Sequence, residues 1–292
     1  MAQLMRTHLF VPANRANMVA KAHQVAADVI VLDLEDSVPP AEKDAARAGV
    51  RDAIASLNAA GKTVHVRVNH LSTGLTRDDL DAAVGPGLSG LVFPKVEGGA
   101  DIRELDVLIR QQEVQHQVRA GTNVLIPHIE SARGLLRCED IVLASTRIGG
   151  LSIGAEDYVA DIGVARTPGG QELEYARRIS VNVCAAYRLQ ALDVVYPQFQ
   201  DEAGLLADAR YARSIGFKGK YVIHPTQVDA VNAVFAPSAD EVETARRIVA
   251  AFDEAVALGH ASTQVDGRMV DTPTARRARD VITYAEAMRQ AD

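Results

Sequence analysis

Two cysteines, no tryptophan and an aromatic content of only 4% in a chain of 292 residues exclude several classes of protein at once. Cys138 and Cys184 lie far apart and outside any C-x-x-C motif. No disulfide framework is expected, and both read as small apolar residues packed in helices. No apolar run approaches the ~20 residues that cross a bilayer. The opening stretch MAQLMRTHLFVPAN has neither the apolar core nor the cleavage site of a secretory signal, so a cytoplasmic protein is expected. Basic excess is also missing. Lys and Arg number 31 against 38 Asp and Glu, a net charge of -7, and no basic stripe with interleaved aromatics occurs. Nucleic acid is not an expected partner. A small anionic ligand needs only a few local Arg or Lys groups and stays open. At 48% hydrophobic and 24% charged residues, the balance is that of a soluble globular enzyme.

What the chain does have is a series of apolar β-type runs that stop on chemistry. VIVLDLED closes on Asp33, Glu35 and Asp36, TVHVRVN carries Arg67 and Asn69, and LVFPKV carries Lys95. LIPHIES brings Glu130, LSIGAED ends on Glu156 and Asp157, and VVYP and YVIHP close on Tyr196 and His224. Strands are predicted at Thr7–Pro12, Val29–Leu34, Thr63–Asn69, Gly90–Pro94, Asn123–Ile129, Gly150–Gly154, Leu192–Pro197 and Lys220–His224, with helix-period segments such as Ala41–Ala60 and Gln171–Leu189 between them. Short, continuously apolar strands alternating with helices imply a parallel sheet. Eight units without a G-x-G-x-x-G after the first strand imply closure. The expected fold is α/β, a TIM (β/α)8 barrel over 1–236, whose site gathers at the C-terminal ends of the strands. Ser238 with Glu241 forms a capping box for a helix running to about Leu258. Residues 237–292 are expected to be C-terminal helices. Their period-free segment around 260–272, with a turn signal at Asp266-Gly267, reads as a lid or arm, or as a plain surface hairpin.

Glu130 and Asp157, near the ends of the fifth and sixth strands, suit a hard cation held by oxygen, and Mg²⁺ fits best. Each alone reads equally as a helix cap or as a partner of an arginine such as Arg133. Strand alternation turns His65, Arg67 and Asn69 into the barrel. A charge there demands a partner, so Arg67 pairs with Glu35 or Asp33, faces an anionic substrate, or does both. Arg15 and Lys21 flank the first helix, where basic groups grip phosphates or simply line a solvated face.

The blocks LFVPANR, VIVLDLEDSVPPAEK, VHVRVN, LVFPKVE, IESARG, IGAEDYVADIG, FKGKYVIHPTQV and GRMVDTP, in that order, resemble the citrate lyase β-subunit and malyl-CoA/citramalyl-CoA lyase family of Mg²⁺-dependent, HpcH/HpaI-type aldolases. The resemblance runs from about Thr7 to Asp280. It implies Mg²⁺ (or Mn²⁺) on Glu130 and Asp157, and Arg67 as the catalytic stabiliser of the substrate oxyanion. It also implies Glu35 and Asp36 orienting that arginine and a metal-bound water, and Arg15 and Lys21 holding a coenzyme A thioester. Asp271 is implied as an acid/base that reaches a neighbouring subunit's site in a homotrimer, or in a hexamer built from two trimers. The activity implied is reversible cleavage of a malyl-, β-methylmalyl- or citramalyl-CoA type thioester to a 2-keto acid and an acyl-CoA. The alternatives are a citrate lyase β-subunit acting on a citryl-acyl-carrier thioester and a non-catalytic acyl-CoA-binding subunit. One departure is Ala13, where the family often has glycine.

Overall fold

A computed structural model describes residues 5–291. Eight parallel strands close into a barrel in sequence order: β1 (Thr7–Pro12), β2 (Val29–Asp33), β3 (Thr63–Arg67), β4 (Gly90–Phe93), β5 (Val124–Ile129), β6 (Gly150–Ile153), β7 (Gln190–Asp193) and β8 (Gly219–Val222). β8 pairs back onto β1 through Thr7–Lys220, His8–Tyr221 and Leu9–Val222, so the barrel itself has no open edge. Every residue of β2 is buried, as expected where helices cover one face of the strands and the barrel interior the other.

The interior is filled from alternate positions. Val29, Val31, Val92, Ile126, Leu192 and Tyr221 form one cluster, with Phe10 packed against it. Two positions beyond Val31 in the same alternation stands Asp33, and its register partner on β3 is Arg67. The pleat that packs the core therefore turns these two charges toward each other at the C-terminal mouth.

Outside the barrel wall, Arg177 binds Asp193 at 2.9 and 3.1 Å and Asp208 at 2.7 Å, while Lys220 Nζ reaches Asp193 at 2.6 Å and Asp208 at 2.5 Å. This cluster ties β7 and β8 to the helices Glu174–Tyr187 and Glu202–Ile215. Removing one partner leaves buried charge uncompensated. Lys220→Met is expected to lower the unfolding free energy by about 3–5 kcal/mol, read from urea melts.

Two compact units make up the described chain, Met5–Ala233 and the residues from Val234 onward. In the second, helices Ala239–Ala257 and Thr272–Ala291 are joined through an antiparallel hairpin, β9 (Thr263–Val265) and β10 (Arg268–Val270). Asp266 and Gly267 both take positive φ (50° and 76°), the two-residue turn whose twist matches a hairpin and which glycine adopts freely. Val270 packs with Phe252 and Ala275, with Ile248 and Val265 against them. The segment that lacked a period in the sequence is thus an ordered hairpin with one face anchored, because three-residue strands are too short to show alternation. The Ser238–Glu241 capping box is present.

Several expected ends shift. β7 stops at Asp193, so Val194 to Pro197 lie beyond the ladder, and β8 stops at Val222. His224 caps the short turn Pro225–Gln227 through Thr226 and stacks on Phe199 at 4.8 Å. Cys138 and Cys184 are free, buried and helical. No described helix is long and apolar enough to cross a membrane.

Candidate active site

Arg67 organises the mouth of the barrel. Its Nε and NH2 donate to the two oxygens of Asp33 at 2.7 and 2.6 Å, a bidentate fork, and its NH1 lies 3.1 Å from Glu35. Asp33 is fully buried and also accepts the backbone N–H groups of Glu35 and Ser37. Burial opposes its ionisation, but the Arg67 charge and these hydrogen bonds outweigh it and hold the carboxyl below the usual range. Phe10 lies under the guanidinium, 4.6 Å from its carbon, and stacks in turn on Tyr221.

The carboxylates divide differently from the expectation. Asp33 and Glu35 hold the arginine, whereas Asp36 turns out to the rim and meets Lys95 at 3.4 Å. β2 ends at Asp33, and in the loop beyond it Glu35 stays buried while Asp36 falls in an exposed turn. Lys95 also donates to Glu35, so the lysine that ends LVFPKV belongs to the cluster.

Glu130 is buried at the end of β5 and has an oxygen, Oε2, with no hydrogen-bond partner among the described residues. Its other oxygen stands 3.8 Å from His128 Nδ1. Burial first, then the charges of Glu35 and Asp157, push its pKa up to about 8, against the opposing pull of Lys95 and Arg67. His128, buried beside Arg67, is driven down to about 3 and is a neutral imidazole. Gly154 makes room for the carboxylate, because a Cβ there would fall 2.5 Å from Glu130 Oε1. Asp157 is exposed in the first turn of helix Ala155–Asp161, not on β6 itself, whose extended run ends at Ile153.

These donors fit a hard divalent cation. They are all oxygen, and one is buried with an unpartnered atom. Arg67 and Lys95 pair with Asp33, Glu35 and Asp36 and leave Glu130 without an ion pair to lysine or arginine among the described residues. No described group of three or more His, Cys, Asp or Glu converges as a full ligand set. A cation on Glu130 and Asp157 would therefore keep most of its positions for water and substrate, as Mg²⁺ does.

Arg15 and Lys21 are both exposed, at opposite ends of the helix Ala16–Ala22. Arg15 precedes the first turn. Lys21 sits in the last, where it complements the helix dipole rather than flanking the N-terminus. Ala13 does not adopt positive φ, so the missing glycine costs nothing there, and its N–H donates to Asp33 O at 3.0 Å. Asp271, in the second unit, caps helix Thr272–Ala291 by accepting from Thr274 N at 3.0 Å and Oγ1 at 2.7 Å, bonds that hold its carboxyl below the usual range.

The family model of HpcH/HpaI aldolase/citrate lyase matches residues 6–225. A citrate lyase subunit beta of Leuconostoc mesenteroides subsp. cremoris is 37% identical over 99% of this chain and 96% of its own. A mitochondrial citramalyl-CoA lyase of Mus musculus is 34% identical over 98% of this chain and 87% of its own. The solved structure of protein CitE from Mycobacterium tuberculosis, in complex with magnesium, acetoacetate and coenzyme A, is 30% identical. It superposes with a TM-score of 0.79, over 98% of this chain and all of that one. A barrel with this cluster at its mouth, matched along almost its whole length by lyases, is a carbon–carbon lyase, and the chain belongs to the HpcH/HpaI aldolase/citrate lyase family.

Proposed function

We propose that the chain cleaves a β-hydroxyacyl-CoA thioester of the malyl-, β-methylmalyl- or citramalyl-CoA type, reversibly, to glyoxylate or pyruvate and acetyl- or propionyl-CoA. The observation that carries this is Glu130, a buried carboxylate with an unpartnered oxygen beside an arginine clamped by two further carboxylates. Mg²⁺, with Mn²⁺ as substitute, would be held by Glu130 and Asp157, and when bound it polarises the carboxylate and hydroxyl oxygens of the substrate.

The chain's own residues supply the rest. Asp33 occupies the Nε–NH2 edge of Arg67, which leaves NH1, beside Glu35, to meet the substrate oxygen that becomes the keto group. In condensation that contact strengthens as negative charge gathers on the oxygen while the carbon–carbon bond forms. In cleavage it stabilises the alkoxide left when the hydroxyl gives its proton to water, before the bond breaks and the charge passes to the thioester enolate. Asp271 is assigned the proton at the α-carbon of the acyl thioester: it removes the proton in the condensation direction and returns it in cleavage. Its service to a neighbouring subunit, and the homotrimer or hexamer this requires, belong to the same proposal. Arg15 and Lys21 would attract the coenzyme phosphates.

Asp271 also caps a helix, so the informative variant is Asp271→Asn, because asparagine caps about as well as aspartate. Turnover is expected to fall by about 10²–10⁴ with the melting temperature nearly unchanged. Coexpressing Asp271→Asn with Glu130→Gln subunits should restore activity at about one site in four if the residue crosses between subunits. No restoration would confine Asp271 to its own chain.

The β-subunit relatives support a second reading, cleavage of a citryl thioester on an acyl-carrier partner. The purified chain is to be offered malyl-, β-methylmalyl-, citramalyl- and citryl-CoA alongside a citryl-carrier thioester, with the released keto acid measured. Turnover of a malyl-type free CoA ester is the expected result. Turnover of the carrier thioester alone would replace it with the second reading.

A further inference from the structure

Glu35 and Glu130 are both buried carboxylates at one barrel mouth, close enough for the charge of Glu35 to act on Glu130, yet their partners are shared out unequally. Glu35 has both oxygens engaged. Oε1 takes the Lys95 ammonium, and Oε2 lies 3.1 Å from Arg67 NH1 and accepts Asp36 N–H at 3.1 Å. Glu130 keeps Oε2 unpartnered.

Lys95 makes its contact from an unusual backbone. It follows β4 with φ at 55°, a left-handed conformation that L-residues bearing a Cβ adopt at a cost. Such strain persists only where the surroundings enforce it, and it concentrates at functional sites. Here it delivers the ammonium to Glu35 and, at 3.4 Å, to Asp36.

We infer that Lys95 is a positioning residue that withholds Glu35 from the cation, so that Glu130 and Asp157 remain its only protein carboxylates and its other positions stay open to substrate. The inference rests on the cation-dependent lyase reading. Without the ammonium, Glu35 Oε1 is released and its carboxylate turns to the cation as a third ligand. An added anionic ligand tightens binding. It also takes a position the substrate needs and draws Glu35 off Arg67.

The test uses the full-length chain and Mn²⁺ as the probe. Mn²⁺ affinity is measured by calorimetry without thioester for the wild type, Lys95→Met and Lys95→Met/Glu35→Gln, followed by kcat and KM. Lys95→Met is expected to bind Mn²⁺ roughly tenfold more tightly while kcat falls by about 10–10² with KM little changed. The double variant should return the affinity to the wild-type value, since the amide competes poorly for the cation. A merely structural lysine would weaken binding and turnover together. Affinity in Lys95→Met equal to or weaker than wild type overturns the inference, as does tight binding that persists in the double variant. A wild type that neither binds Mn²⁺ nor turns over any thioester overturns the lyase reading instead.

Discussion

Arg67→Met is expected to damage stability and turnover together, and a second substitution is expected to separate the two. Asp33 is fully buried and ionised because the guanidinium grips both its oxygens. Deleting that grip strands a buried carboxylate, at a cost of about 3–5 kcal/mol. The same deletion removes the contact to the developing keto oxygen, worth about 10²–10³ in kcat. The sign of the pH dependence follows from the lowered Asp33 pKa. A carboxyl whose folded pKa is depressed stabilises the protein above its unfolded pKa, and that stability is lost as pH falls through the folded value. Wild type should therefore lose this contribution only in acid. Arg67→Met, with Asp33 unpaired, should instead gain relative stability on acidification from neutral pH. Arg67→Met/Asp33→Asn should recover most of the stability and none of the turnover. Urea melts at two pH values with single-turnover rates measure these outcomes. A wild-type melt in Arg67→Met would show that the fork contributes nothing to the fold.

Glu130→Gln is expected to stabilise the cation-free protein while abolishing its activity. The folded pKa of Glu130 is raised to about 8, above the ordinary carboxylate value. A raised carboxyl pKa lowers stability progressively as pH climbs from the unfolded value toward the folded one. Near neutral pH the ionisable side chain thus costs the cation-free fold on the order of 1–3 kcal/mol, which the amide avoids. Melts without metal should show Glu130→Gln above wild type at pH 7 to 8, with the difference vanishing near pH 4. Added Mg²⁺ should stabilise wild type through preferential binding to the folded state and leave the variant unmoved. Because the ligand must be deprotonated, Mg²⁺ affinity should also rise with pH up to about 8. A variant less stable than wild type without metal would mean the carboxylate is a structural partner rather than a site held for a cation.

Much of this was legible in the sequence because barrel strands buried on both faces are short and continuously apolar, and because their chemistry gathers at one end. β1 and the starts of β2, β3, β4 and β6 fall where the apolar runs begin. β7 does not. The run LDVVYP continues past Asp193, and burial of Val194 and Tyr196 in the following loop looks the same in sequence as burial in a strand. Asp157 was read near the end of the sixth strand and lies there, but the helix that carries it was not legible, since Gly154 passes the chain from β6 into the helix without interrupting LSIGAED. The choice between Asp33 and Glu35 as the partner of Arg67 needed the register. Asp33 is its direct partner across β2 and β3, and Glu35 reaches the same guanidinium from the loop beyond. Lys95 stood out at the end of LVFPKV, but its role did not, because lysine seldom marks a left-handed backbone and the contact depends on Glu35, sixty residues earlier.

The most direct test of a cation-dependent lyase centred on Glu130 is keto-acid release from the thioester panel after the protein has been stripped with EDTA, before and after Mg²⁺ is restored. The account predicts no turnover when stripped, full recovery with Mg²⁺ in the wild type, and no recovery in Glu130→Gln. Turnover that survives EDTA, or Mg²⁺ rescue of Glu130→Gln to the wild-type rate, would contradict it.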